Sequence, residues 1–145
     1  MSTFMQLAIE QAQQGLREGG VPIGSVLVMD GAVIGAGHNQ RQQMGSAIRH
    51  AEMDALENAG RLGRAEYDKC TIYTTLSPCI MCTGAILLYQ IPRVVIGENR
   101  TFPGEPELLR ARGVEVTILD DAQCIELMET FIREKPELWN EDIGV

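Results

Sequence analysis

Apolar residues recur at steps of three and four along the first segment: Phe4, Leu7, Ala8, Ala12 and Leu16. That spacing predicts an amphipathic helix, capped by Ser2 or Thr3 and stopped at Gly19-Gly20. From Ile23 to Met29 the chain becomes a short apolar run, a strand; Asp30-Gly31 reads as a tight hairpin turn and Val33 to Gly37 as the returning strand. The polar stretch from Asn39 to Gly45 is too long for a tight turn and is expected to be a loop beside a site. Helical composition runs from Ser46 or Ala47 to Ala59, ending at Gly60, and Thr71 to Thr75 is a β-branched strand. Ser77 and Pro78 suit the N-cap and first position of a helix reaching Tyr89. Val94 to Gly97, an apolar run between helices, reads as a parallel strand. A helix over Glu105 to Ala111, a strand over Glu115 to Leu119 and a long helix from Asp121 to Lys135, ended by Pro136, complete the pattern. This order predicts an α/β fold: a mixed sheet sandwiched by helices, with a hairpin at one side.

Composition narrows the class. The 145 residues, 45% hydrophobic and 22% charged, fit one globular domain over 1–145, with no repeat, linker or low-complexity segment. No apolar run approaches the ~20 residues that span a bilayer, and the N-terminus has no basic stretch followed by an apolar one. The expected address is therefore cytoplasmic, with no membrane partner. Twelve Lys and Arg against twenty Asp and Glu leave a net charge of −8, which argues against a nucleic-acid partner. Four cysteines in such a chain are not expected to form disulfides. Their spacing is uneven: Cys79 and Cys82 make a CxxC, while Cys70 and Cys124 stand alone and read as small buried hydrophobes.

The chemistry concentrates at two helix starts. His50-Ala51-Glu52 opens one and Pro78-Cys79-Ile80-Met81-Cys82 the other. Cys79 and Cys82 fall on one helical face, and the positive helix end is expected to favour their thiolates. With His50 they supply three ligands soft enough for zinc, one ion per chain. Three ligands leave a position open for water, whose pKa bound zinc lowers towards ~7. Glu52, two positions from His50, is poorly placed to ligate but can reach that water as a proton shuttle. Taken singly, each piece has a bland reading: HxE occurs by chance, CxxC can be a redox pair, and a helix-start histidine can be structural. Together they make the H-x-E…P-C-x-x-C signature of zinc deaminases, in which Glu is the acid/base and not a ligand. His38, at a strand end by the same pattern, reads as structural.

Beyond that signature, the segments GGVPIG (19–24), GHN (37–39), TIYTTLSPC (71–79), MCTGAI (81–86), VVIGEN (94–99) and the tail WNEDIGV (139–145) resemble fungal-type, free-base cytosine deaminases of the zinc-dependent cytidine/deoxycytidylate deaminase superfamily. The likeness runs from about Glu18 to the C-terminus. It implies a three-layer α-β-α sandwich around a central five-stranded sheet, a homodimer, a small nucleobase substrate and hydrolysis of cytosine to uracil and ammonia, as in pyrimidine salvage. It implies that His50, Cys79 and Cys82 hold zinc, whose hydroxide attacks the ring, and that Glu52 shuttles the proton. It further implies that Asn39 holds the pyrimidine, Ala51 and Leu76 bind through backbone groups, the Ser77 carbonyl and Asp142 face the amino group, and Phe102, Trp139 and Ile143 form apolar walls and a lid. Ala51 stands where the fungal enzymes typically carry glycine, and it keeps the backbone N–H. The Thr101–Glu107 stretch, with Pro103 and Pro106, also departs from the pattern around Phe102.

Three rival readings share parts of this pattern. The same chemistry could act on another amino-heterocycle: isoguanine, guanine, a creatinine-like ring or a pterin. A tRNA adenosine deaminase shares HAE and PCxxC but would need basic surface. A non-catalytic, zinc-stabilised interaction module would need a fourth protein ligand or no shuttle.

Overall fold

A computed structural model of the chain describes residues 4–145. Five strands form one sheet in the order β2-β1-β3-β4-β5. β1 (Gly24–Met29) runs antiparallel to both β2 (Ala32–His38) and β3 (Cys70–Leu76), while β3, β4 (Arg93–Glu98) and β5 (Glu115–Ile118) are mutually parallel. The antiparallel pair is a hairpin because Asp30 and Gly31 both take positive φ, 52° and 80°, as the twist-matched two-residue turn requires. The parallel pairs need crossovers, and helices α5 (Ile80–Tyr89) and α6 (Pro106–Ala111) supply them.

Alternation along the strands builds the layers. Ile72, Val94 and Ile96 face one core with Ile86 of α5 and Leu109 of α6, while Tyr73 and Val95 face the other with Met5, Ala8 and Ile9 of α1 (Phe4–Arg17) and Cys124 of α7 (Ala122–Glu134). Both faces are covered, so the expected three-layer α/β sandwich with a central five-stranded mixed sheet is present. Among the described residues, no helix is long and apolar enough to cross a membrane.

Glycine brings two helices into backbone contact with the sheet. A Cβ at Gly24 would lie 2.0 Å from the Ala8 carbonyl oxygen of α1. A Cβ at Gly35 or Gly37 would lie 2.4 and 2.5 Å from the Ala55 main chain of α3 (Ala51–Ala59). α3 therefore lies flush on β2, which fixes its N-terminus, and with it His50 and Glu52, over the end of the sheet.

Several elements differ from the sequence pattern, each for a local reason. The buried stripe of α1 is Met5, Ala8, Ile9, Ala12 and Gly15, whereas the predicted Leu7 and Leu16 are exposed. The close approach at Gly24 selects the small-residue face over the leucine face. The proposed caps Ser2 and Thr3 lie outside the described residues. α3 starts at Ala51, not near Ser46, because the Ser46 hydroxyl accepts hydrogen bonds from the backbone N–H of Ile48 and Arg49 and holds a turn. Ser77 is not the cap of α5: its N–H donates to the Glu98 carbonyl, extending the β3–β4 ladder, and Cys79 takes the N-cap position. Short helices α2 (Arg41–Met44) within the expected loop and α4 (Arg64–Tyr67) were not predicted. Pro136 does end α7, but it also opens α8 (Pro136–Asp142) as its first residue, the position where a missing N–H costs nothing.

Candidate active site

His50 and Cys79 are the N-cap residues of α3 and α5, both with extended backbone, and neither side chain caps its own helix. Their side chains are thus free to converge. His50 Nδ1 lies 3.4 Å from Cys79 Sγ and 3.7 Å from Cys82 Sγ. Zinc bonds of ~2.3 Å to sulfur and ~2.0 Å to nitrogen in a tetrahedron put ligand atoms about 3.6 Å apart, so this triangle fits the ion without rearrangement. All three ligand atoms lie within 4.8 Å of one another. Because Nδ1 faces the sulfurs, Nε2 points away, and Asp142 Oδ2 stands 3.6 Å from it. An imidazole whose far nitrogen faces a carboxylate is the usual way a histidine ligand is oriented.

The electrostatics set the two thiols apart. Cys79 is lowered to about 4, chiefly by the hydrogen bond it receives from Cys82, with His50 adding to it. Cys82 moves the opposite way, well above the ordinary thiol range, because it is the donor in that bond and because it is buried near Glu52. In the metal-free chain the two thiols are thus driven apart, Cys79 towards the thiolate and Cys82 towards the thiol. Burial alone would depress His50, but the bond to Cys79 and the charges of Asp142 and Glu52 raise it to about 9. Burial pushes the Glu52 carboxyl up to about 7, against the pull of His50. Such a value suits a group that takes a proton in one step and returns it in the next. Asp142 is also raised, by burial first, with His50, an Asn39 hydrogen bond and Arg41 opposing.

A pocket opens beside the ligand triangle. Nine of the residues singled out from the sequence line it: His50, Glu52 and Cys79 at the floor, Leu76, Ser77 and Asp142 at the sides, and Phe102, Trp139 and Ile143 as apolar walls. The Phe102 and Trp139 rings meet edge to face, 5.8 Å between centroids and 88° between planes. Three others sit just behind. Cys82 is fully buried beneath the floor. Ala51 is buried in a cluster with Leu76 and Trp139. Asn39 is fully buried; its amide donates to Asp142 Oδ1 at 2.8 Å and its carbonyl accepts from the Arg41 N–H.

Sequence reasoning missed Ile23, which completes the wall. It also missed Asp54, a buried carboxylate that accepts from the His38 N–H, Gln40 and Arg49 and so ties down the segment between Asn39 and His50. Its position two residues after Glu52, an acid on a buried helix face, was the available signal. His38 is structural, as expected, held by Gln11 and Glu18. Cys70 and Cys124 are buried and unpaired.

A carboxyl near neutrality beside a His/Cys/Cys set, in a pocket with apolar walls, is the arrangement of a zinc-dependent hydrolase. The cytidine and deoxycytidylate deaminase zinc-binding region matches residues 1–98, and the chain belongs to that family. It is 60% identical over 141 residues to the cytosine deaminase of Candida albicans, covering 97% of this chain and 94% of that one. A tRNA-specific adenosine deaminase of Streptococcus pyogenes is 39% identical over 144 residues, covering 92% and 91% respectively. Among solved structures, one from a study of tRNA:A34 deaminases and A-to-I editing superposes with a TM-score of 0.74 at 29% identity, covering 86% of this chain and 97% of that one.

Proposed function

We propose that this chain is a zinc-dependent deaminase of free cytosine, which it converts with water to uracil and ammonia. The observation that carries the choice of substrate is the pocket. Phe102, Trp139 and Ile143 bring apolar walls, including an edge-to-face aromatic pair, to the same pocket as His50, Glu52 and Cys79. A single pyrimidine suits that space; a ribose or an RNA loop would have to displace the roof. The near full-length likeness to a cytosine deaminase supports the same substrate, and the net charge of −8 weighs against RNA.

His50 through Nδ1, Cys79 and Cys82 hold the ion, which when bound supplies Lewis acidity and a water acidified towards pKa ~7. Glu52 takes one proton from the attacking water and delivers it to ring N3, then takes the remaining hydroxyl proton at C4 and passes it to the amino nitrogen, which leaves as ammonia while C4 becomes a carbonyl. Asp142 and the Ser77 carbonyl accept hydrogen bonds from the amino group. Asn39, with one amide N–H on Asp142, has a second for the ring carbonyl. The backbone groups of Ala51 and Leu76 complete the polar contacts, and Phe102, Trp139 and Ile143 cover the ring and exclude water.

Ile80 and Leu88, two turns apart on α5 with exposed Gly84 between them, form the apolar stripe on which two copies pair as a homodimer. Four unpaired cysteines suit a reducing cytoplasm. The deciding test is ammonia release from cytosine, cytidine, isoguanine, guanine and adenine, side by side, with zinc-loaded protein. Turnover of cytosine with little on cytidine is expected. Silence on cytosine with activity on a purine would keep the zinc chemistry and reject the substrate.

A further inference from the structure

Glu98 ends β4 with a side chain wholly withdrawn from solvent, and among the described residues no cation pairs with it. The neighbouring Arg100 guanidinium turns to Asp120 instead. A buried carboxylate without a cation is costly unless hydrogen bonds compensate it. Here every side-chain bond goes to the residues two and three positions on: Oε1 accepts the backbone N–H of Arg100 at 2.8 Å and of Thr101 at 3.0 Å, and Oε2 accepts the Thr101 hydroxyl. The residue that follows is Phe102.

The far side of that turn is seated as firmly. Gly104 has φ +63°, and a Cβ there would lie 2.2 Å from Ser77 Oγ and 2.7 Å from the Pro78 carbonyl oxygen. The Glu98 carbonyl, meanwhile, accepts the Ser77 N–H at 3.0 Å. Glu98 thus touches two walls of the pocket without lining it: Ser77 through its main chain, and the Phe102 turn through its carboxylate. An aliphatic residue would fill the same core space but would leave two backbone N–H groups of the turn unbonded.

We propose that Glu98 is a positioning residue for substrate selectivity: by holding the backbone of Arg100 and Thr101 it fixes the Phe102 ring against Trp139 as a preformed roof, sized for a flat base and closed to a ribose. The proposal rests on the free-base reading above, and its test has an arm independent of turnover. Trp139 is the single tryptophan of the chain, so intrinsic fluorescence reports the roof alone. In zinc-loaded Glu98→Ala, acrylamide quenching of Trp139 should rise about twofold as the edge contact loosens, with zinc still at one per chain. KM for cytosine should rise about tenfold with kcat little changed, and the preference for cytosine over cytidine should narrow about tenfold. Glu98→Gln should rescue both readouts, since its amide oxygen accepts the two N–H groups and its nitrogen can donate to the Thr101 hydroxyl. Should the alanine variant fail to fold, Thr101→Val decides, since it removes only the hydroxyl bond and should raise KM and quenching about threefold and detectably, respectively.

A variant that melts earlier but keeps wild-type quenching, KM and selectivity overturns the proposal and leaves Glu98 a structural residue. If the wild-type protein does not act on cytosine, the substrate reading fails alone. The quenching comparison still decides Glu98: increased in the alanine variant, the roof depends on it; unchanged, it does not.

Discussion

Replacing Asp142 by Asn separates catalysis from folding with opposite expected signs. The carboxylate is almost wholly buried, accepts from Asn39 at 2.8 Å through Oδ1 and stands 3.6 Å from His50 Nε2 through Oδ2. Asparagine keeps the shape and can keep the bond from Asn39, but its NH₂ then faces the His50 N–H and the substrate amino group, donor against donor. Losing hydrogen bonds to a charged acceptor costs about 1.5–3 kcal/mol, so kcat/KM for cytosine should fall roughly 10- to 150-fold. Stability should move differently. Burial holds the Asp142 carboxyl above its usual range in the folded, metal-free chain. The folded state therefore binds the proton more tightly than the unfolded one, and the stability this group contributes is present at low pH and lost as pH rises through the folded pKa. Where the carboxyl is ionised its burial is a cost to the metal-free fold, one that Asn removes. The assay is a pair: kinetics on zinc-loaded protein, and melting of metal-free protein at pH 7. The expected result is a large loss of kcat/KM with zinc still one per chain and Tm unchanged or higher. A Tm lower by more than about 4 °C, on the order of 1 kcal/mol at this chain length, or a kcat/KM within twofold of wild type, would refute the reasoning.

Three further outcomes follow from the site. Glu52→Gln should keep zinc and lose turnover by roughly 10²- to 10⁴-fold, and retained activity would remove Glu52 from the proton path. Cys79→Ala should lose the metal, and one zinc per chain by elemental analysis would exclude Cys79 as a ligand. Zinc uptake should displace about two protons at pH 7, from His50, which is raised to about 9, and from Cys82, which is raised well above the thiol range, while Cys79, near 4, is already a thiolate. Calorimetry in buffers of different ionisation enthalpy counts them; the number should fall towards one above pH 9, and no release at pH 7 would contradict the ligand set.

The residues of the metal triangle and Glu52 were legible because their chemistry is local. A cysteine pair three apart at a helix start, and a histidine two before a glutamate at another, constrain geometry within one turn of chain. The β1–β2 hairpin was legible for the same reason, since Asp30-Gly31 accepts the positive φ that the turn requires. The stripe of α1 was not, because two faces of that helix carry apolar residues and only the approach of Gly24 to Ala8 selects between them. Ser77 was misread as a cap because the sequence holds no trace of the Glu98 carbonyl that claims its N–H. The likeness of the tail to free-base deaminases pointed to Trp139, Asp142 and Ile143, but nothing in the spacing of residues brings a C-terminal segment to the mouth of α3.

Taken alone, then, the sequence determined the α/β class, the order of its main elements and the candidate His/Cys/Cys set with its neighbouring glutamate, all of which rest on periodicity or on short local motifs. Tertiary structure decided the rest. It set α3 flush on β2 through Gly35 and Gly37, folded α8 back so that Asp142 meets Asn39 across 103 positions, and drove two cysteines that look alike in the motif in opposite directions of acidity. Burial and long-range contact govern those outcomes, and both depend on which distant segments pack together, a property of the folded chain that local pattern does not carry.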